Sequence, residues 1–242
     1  MMTEAPSPLD QVVDAVLHSA KYRCIDPALV RTLAARELAG GARAKDAAKA
    51  VKNKLHQVAG AYQAEPLAAG AWLAQVRKVK EQGGELRPLC RAMMARHAST
   101  RERLPILDGF YQQVFEGLPA PATLLDLACG LNPLALPWMP LAPGCTYLAC
   151  DVVLPMLSFL NHFFRAASAQ GEAFPCDLSS EIPRQEVQLA ILLKTLPCLD
   201  QLDKSLSARL LSQIRAEHIL VSYPSKSLGG WEKGMRQTYS QQ

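Results

Sequence analysis

Apolar residues recur with the period of a helix in the first half of the chain, whereas in the second half they gather into short runs separated by turn residues. Ser7 with Asp10 makes an S-x-x-D capping pattern with Pro8 at the first helical position, and Val12, Val13, Val16 and Leu17 follow on one face. A second helix is predicted from Asp26-Pro27 to Gly40-Gly41. The third covers 43–61, with Ala47, Ala48, Val51, Leu55 and Val58 on one face and Lys45, Lys49, Lys52 and His56 on another. Further helices are expected over 66–82 and 85–97. Ser99 and Glu102 then read as a capping box for a helix toward Gly117, kinked by Pro105. After the Pro-rich segment 118–123 the pattern changes. Apolar runs at 123–129, 146–152, 187–194 and 218–223 alternate with helical stretches, which indicates a mainly parallel sheet. Two domains are therefore expected: an all-helical one over 1–118 and an α/β one over 119–242.

The most informative stretch is 125–135, LDLACGLNPLA. A buried strand leads through Asp126, Gly130 lets the backbone turn without a Cβ, and Asn132 can cap a helix that begins at Pro133. A single glycine is not the dinucleotide fingerprint, and no lysine follows as a phosphate-cradling loop needs. Asp151 ends the next apolar run about twenty residues further on, the position from which a ribose diol is held, and Asp177 ends a third. Asp126, Asp151 and Asp177 thus put an acid at each of three strand ends along one edge, although any one of them could merely terminate a strand. Together with the glycine turn they resemble the S-adenosylmethionine site of a class I, Rossmann-like methyltransferase.

Composition narrows the class. Of 242 residues 49% are hydrophobic, no run is long enough to cross a bilayer, and the start MMTEAPSPLD has no signal-peptide core, so a cytoplasmic location without membrane association is expected. Seven cysteines, an odd number without a C-x-x-C pair, read as reduced core thiols and not as disulfides or a metal site. Charge is uneven along the chain. Residues 1–118 carry seventeen Lys and Arg against twelve Asp and Glu, and within them 21–54 alone is nine against three. Such an excess suits a polyanion, although the stripe at Lys45, Lys49 and Lys52 reads equally as a solvated helix face.

Several blocks then point to a family. HASTRERL at 97–104, DLACGLNPLALPWM from Asp126, LLKTLP at 192–197, and VSYPSKSLGG at 221–230 followed by Lys233-Gly-Met235 resemble the aminoglycoside-resistance 16S rRNA (guanine-N7) methyltransferases of the Arm/Rmt/Sgm type. KYRCIDPALV at 21–30 and KLHQVAGAY at 54–62 are similar as well, so the resemblance runs from about residue 10 to the end. It implies S-adenosyl-L-methionine as cofactor and 16S rRNA in the assembled 30S subunit as partner. The expected product is guanine 1405 methylated at N7, which blocks deoxystreptamine aminoglycosides. Neither DNA nor a membrane is an expected partner, and a monomer is expected.

The resemblance also implies roles for particular side chains. Arg103 would bind the methionine carboxylate of the cofactor with Tyr62 closing over it, a guanidinium being able to donate two parallel hydrogen bonds. On sequence alone Arg103 also reads as a surface ion pair with Glu102 or Asp108. Gly130 would let the backbone approach the cofactor, Asp151 would take the ribose, Asp177 with Leu178 would border the adenine, and Val152 and Leu193 would line the cofactor site. Lys194 would face the transfer site as the catalytic candidate, since a lysine in an apolar strand run is costly without a partner. Lys45, Lys49, Lys52 and Lys54 are the RNA candidates in the helical half; Ser225, Lys226, Lys233, Met235 and Arg236 are those in the C-terminal block. Trp231 reads as a stacking plate or as loop packing.

Two departures from the family pattern stand out. Leu178 occupies a place where a polar side chain is common, and the sequence stops at Gln242 where the family continues through further strands, so a sheet truncated at its C-terminal side is expected. The alternatives to an rRNA enzyme are a small-molecule methyltransferase, for which the cofactor turn suffices, and a non-catalytic ribosome-binding homologue.

Overall fold

A computed structural model describes residues 6–56 and 67–223. The first helix, α1 (Pro8–Leu17), begins as its sequence dictates: Ser7 accepts a hydrogen bond from the Asp10 amide at 3.2 Å, and Pro8 takes a position where no N–H is required. In α2 (Pro27–Ala39) the Asp26 carboxylate caps the Ala28 amide at 3.1 Å. Helix α3 (Ala44–Leu55) buries Ala47, Ala48, Val51 and Leu55 against α1 and α2, so the apolar stripe decides its orientation. The expected continuation of α3 beyond His56 lies outside the described residues. Helices α4 (Ala69–Glu81) and α5 (Arg87–Met94) follow, both shorter than their periodic patterns.

The capping box at Ser99 and Glu102 does not form. Ser99 lies inside the one-turn α6 (Ala98–Arg101), which His97 precedes without a side-chain capping bond, and a 3-10 turn over Leu104–Ile106 separates it from α7 (Leu107–Val114). Pro105 is the reason: it lacks an N–H and its ring crowds the carbonyl of Arg101, so the helix cannot run through. Glu102 is drawn instead to Lys194 in the second half of the chain.

Five parallel strands form one sheet: β1 (Thr123–Leu127), β2 (Thr146–Asp151), β3 (Gly171–Pro175), β4 (Val187–Leu193) and β5 (Ala216–Ser222). Their order is β3-β2-β1-β4-β5, so the direction of winding reverses at β1, between its neighbours β2 and β4. Alternation along the strands sends Leu124, Tyr147, Ala149, Leu189 and Ile191 to one face, packed with α8 (Leu154–Ala166) and the helical half. Leu125, Leu127, Cys150, Ala190 and Leu192 go to the other, against α9 (Thr195–Leu202) and α10 (Leu206–Gln213). After β1 the chain does not enter an α-helix at Pro133; it makes a 3-10 helix over Asn132–Trp138, with Pro137 inside it. All seven cysteines are free thiols.

The helical half is sewn to the sheet half by main chain as well as by side chains. Ile25 pairs with Val153 in an antiparallel bridge, the Asp26 amide donates to Val152 O at 2.8 Å, and the Leu154 amide donates to Cys24 O at 3.0 Å. Trp72 meets Phe159 edge-on at 5.5 Å, and one hydrophobic core runs from Val12 through Phe163 to Leu189.

Candidate active site

A cleft of about 120 Å³, open to solvent, lies at the carboxyl ends of β1, β2, β3 and β4, where an open parallel sheet with this winding reversal presents a ligand crevice. Gly130, Asp151, Val152, Asp177, Leu178, Leu193 and Lys194 all line it, so the candidates drawn from four separate strand ends are brought to one site. Leu29 of α2 closes part of the wall, so the helical half contributes to the cleft.

The floor is organised by Asp151. Its carboxylate accepts from the Gly130 amide at 2.9 Å and from the amides of Val152 at 2.7 Å and Val153 at 3.2 Å, so one side chain ties the turn after β1 to the turn after β2. Burial nevertheless pushes its carboxyl above the ordinary range, the three amides opposing that shift. Gly130 has φ of +52°, and a Cβ there would come within 2.8 Å of His97 Cε1. The glycine is thus required by its left-handed backbone and by the imidazole that a Cβ would meet. Sequence reasoning gave His97 no role; its only signal was its place at the head of the HASTRERL block. Burial, with Arg103 and Lys194 nearby, pushes the His97 imidazole down to about 4, so it is neutral at physiological pH.

Arg103 is not a surface ion pair; it lies behind the cleft wall, close to the lining residue His97. It is 6% exposed, and its Nη2 donates to Asn132 Oδ1 at 2.7 Å, while the carboxylate of Asp108 is taken by Arg91 and Trp138 and that of Glu102 by Lys194. Its Nε and Nη1 are buried without a hydrogen-bond partner. A buried guanidinium with two unused nitrogens is costly, and a ligand carboxylate is the group that would use them. Asn132 does not cap a helix. Fully buried, it accepts from Arg103 and from Tyr111 Oη at 2.5 Å and donates through Nδ2 to Asp126 Oδ2 at 2.9 Å. Asp126, expected to open onto the same edge as the other acids, is 1% exposed and accepts from Tyr147 Oη at 2.7 Å on the sheet face that packs on the helices. Strand alternation explains this, because Leu125 and Leu127 face the opposite core.

At the end of β4, Lys194 adopts φ of +62° and its ammonium pairs with Glu102, which supplies the partner that a lysine here requires. Asp177 turns inward on its own loop, accepting from the Ser179 amide at 2.9 Å and from Ser180 Oγ at 2.8 Å, and Leu178 lies beside it as an apolar wall. Lys45 and Lys49 are exposed on α3 and Lys52 is half-buried. Lys54 makes an ion pair with Glu37 at 2.6 Å within the helical half. Tyr62, Ser225, Lys226, Trp231, Lys233, Met235 and Arg236 lie outside the described residues.

A five-stranded parallel sheet with a cleft at its winding reversal, an acid after the second strand and a buried arginine with donors to spare define a class I, Rossmann-like methyltransferase with an added helical half. Comparison with known proteins narrows this. The family model for ribosomal RNA methyltransferase (FmrO) matches residues 18–242, and the chain belongs to that family. It is 38% identical to a 16S rRNA (guanine(1405)-N(7))-methyltransferase of Micromonospora echinospora, covering 100% of this chain and 90% of that protein. A protein of the same name from Serratia marcescens is 30% identical, over 96% and 87% of the two chains. Among solved structures, the 16S rRNA methyltransferase RmtF in complex with S-adenosyl-L-homocysteine superposes with a TM-score of 0.81 at 33% identity, covering 98% of this chain and 89% of that one.

Proposed function

We infer that this chain transfers a methyl group from S-adenosyl-L-methionine to N7 of guanine 1405 in 16S rRNA, the modification that confers aminoglycoside resistance. The likeness over nearly the whole length to enzymes of that name carries the reading, together with a cleft whose residues suit the cofactor. Arg103 holds the methionine carboxylate with its unused Nε and Nη1, Asp151 takes the ribose hydroxyls, and Val152, Leu178 and Leu193 provide apolar walls for the adenine. When bound, S-adenosylmethionine supplies an electrophilic methyl group on sulfur. Guanine N7 carries an in-plane lone pair and no proton, so its attack on that methyl would need no general base from the protein. Positioning therefore dominates the chemistry. Lys194, held by Glu102 at the cleft, is a cation placed for the incoming nucleotide, which must leave its stack to reach the site.

The substrate form supported best is the assembled 30S subunit, with residues 1–118 as the docking domain and 119–242 as the methyltransferase domain. More than a hundred residues with a basic excess are unnecessary for gripping one base and suit a folded RNA surface read through its shape and phosphates. Methyl incorporation is expected to be robust on 30S subunits, mapped to one guanine, and poor on protein-free 16S rRNA at the same concentration. Equal rates on both, or modification at many guanines, would overturn the assignment of substrate selection to the helical half.

A further inference from the structure

We propose that Asn132 and Asp126 are positioning residues for the cofactor, acting through Arg103 by a buried hydrogen-bond chain that runs Arg103–Asn132–Asp126–Tyr147. The inference rests on the reading that Arg103 receives the methionine carboxylate. The chain itself rests on distances: Arg103 Nη2 to Asn132 Oδ1 is 2.7 Å, Asn132 Nδ2 to Asp126 Oδ2 is 2.9 Å, and Tyr147 Oη to Asp126 Oδ2 is 2.7 Å.

Each link sets the next one. Asp126 Oδ2 accepts from both Asn132 Nδ2 and Tyr147 Oη, so it fixes which end of the Asn132 amide turns toward it and leaves Oδ1 for the donors on the other side. Two donors converge there, Arg103 and Tyr111. The amide oxygen thereby occupies one guanidinium nitrogen while Nε and Nη1 keep their capacity. A carboxylate in the place of Asn132 would neutralise Arg103 before any cofactor arrived; an aliphatic side chain would leave the guanidinium unheld. A neutral amide anchored at its far end both holds the arginine and leaves its charge for the ligand. The location agrees with this role, because Asn132 starts the 3-10 segment immediately after the Gly130 turn that Asp151 organises.

The test compares two probes with the full chain by calorimetric titration: S-adenosylhomocysteine and its decarboxylated analogue, which lacks only the group that Arg103 would hold. Asn132→Leu is expected to weaken S-adenosylhomocysteine binding by tenfold or more while changing binding of the decarboxylated analogue by less than twofold. The isosteric Asp126→Asn, chosen in case Asn132→Leu folds poorly, is expected to show the same selectivity at about threefold, because an amide at 126 no longer fixes the orientation of Asn132. Arg103→Ala serves as the reference. If Arg103→Ala weakens only the carboxylate-bearing probe and the Asn132 and Asp126 variants weaken both probes equally or neither, the positioning role is overturned and the reading of Arg103 stands. If Arg103→Ala itself shows no selectivity, the reading of Arg103 fails and this inference with it.

Discussion

Replacing Gly130 with alanine tests the geometry of the cleft at its tightest point. The residue sits at φ +52°, a region in which a Cβ costs roughly 1–2 kcal/mol. The added methyl would also meet His97 Cε1 at 2.8 Å, and His97 is buried, so the ring cannot swing into solvent; overpacking of this kind costs about 1–3 kcal/mol. The sum of the two gives an expected loss of about 2–5 kcal/mol in urea unfolding. Affinity for S-adenosylhomocysteine should fall too, because the Gly130 amide is one of the three that orient the Asp151 carboxylate. A double variant, Gly130→Ala with His97→Ala, separates the two costs. Removing the ring removes the clash and leaves the backbone strain, so the double variant should be more stable than the sum of the single losses by about 1–3 kcal/mol. An alanine variant within about 0.5 kcal/mol of the wild type, or strict additivity in the double variant, would refute the reasoning.

Asp151→Ala should weaken S-adenosylmethionine binding by roughly 1.5–3 kcal/mol through loss of charge-assisted hydrogen bonds to the ribose; unchanged affinity in calorimetry would remove Asp151 from the site. Replacing Lys45, Lys49 and Lys52 together with glutamate should weaken 30S binding and flatten its salt dependence while cofactor affinity holds, and equal binding across a salt series would return the stripe to a solvated face. Burial pushes the Asp126 carboxyl up to about 7, its hydrogen bonds from Asn132 and Tyr147 opposing the shift. A raised acid favours the folded state most below its unfolded value near 4 and loses that advantage as pH rises through 7. Relative to Asp126→Asn, the wild type should therefore lose on the order of 4 kcal/mol of stability between pH 4 and pH 7.5, and a difference flat across that range would contradict the burial of this acid.

The strand ends and their acids were legible because period-2 alternation and a glycine turn are local signals. Asp151, Asp177, Leu178 and Lys194 follow directly from them and from the family blocks. Less legible were positions whose behaviour depends on a partner distant in sequence. Asn132 has the composition of a helix cap, yet Arg103 and Tyr111 claim its oxygen from 29 and 21 residues away. Glu102 has the spacing of a capping box, yet Lys194 claims it from 92 residues away. Asp126 has the look of a third strand-end acid, yet parity along β1 puts it on the face of Leu124, two residues before it, which packs on the helical core. Lys54 kept its place on a basic helix but met Glu37 of the neighbouring one, a pairing that no pattern within α3 records.

The antiparallel bridge of Ile25 with Val153 bears on how such a protein can be recombined. The segment 118–123, where composition changes, looks like the natural crossover point for exchanging helical halves between relatives. A crossover there would part residues 24–26 from residues 152–154, which exchange main-chain hydrogen bonds beside Asp151, and would divide a core shared by Val12, Phe163 and Leu189. A working chimera has to inherit the 24–26 segment and the loop after β2 from the same parent, so the helical half and the sheet half are transmitted as a pair.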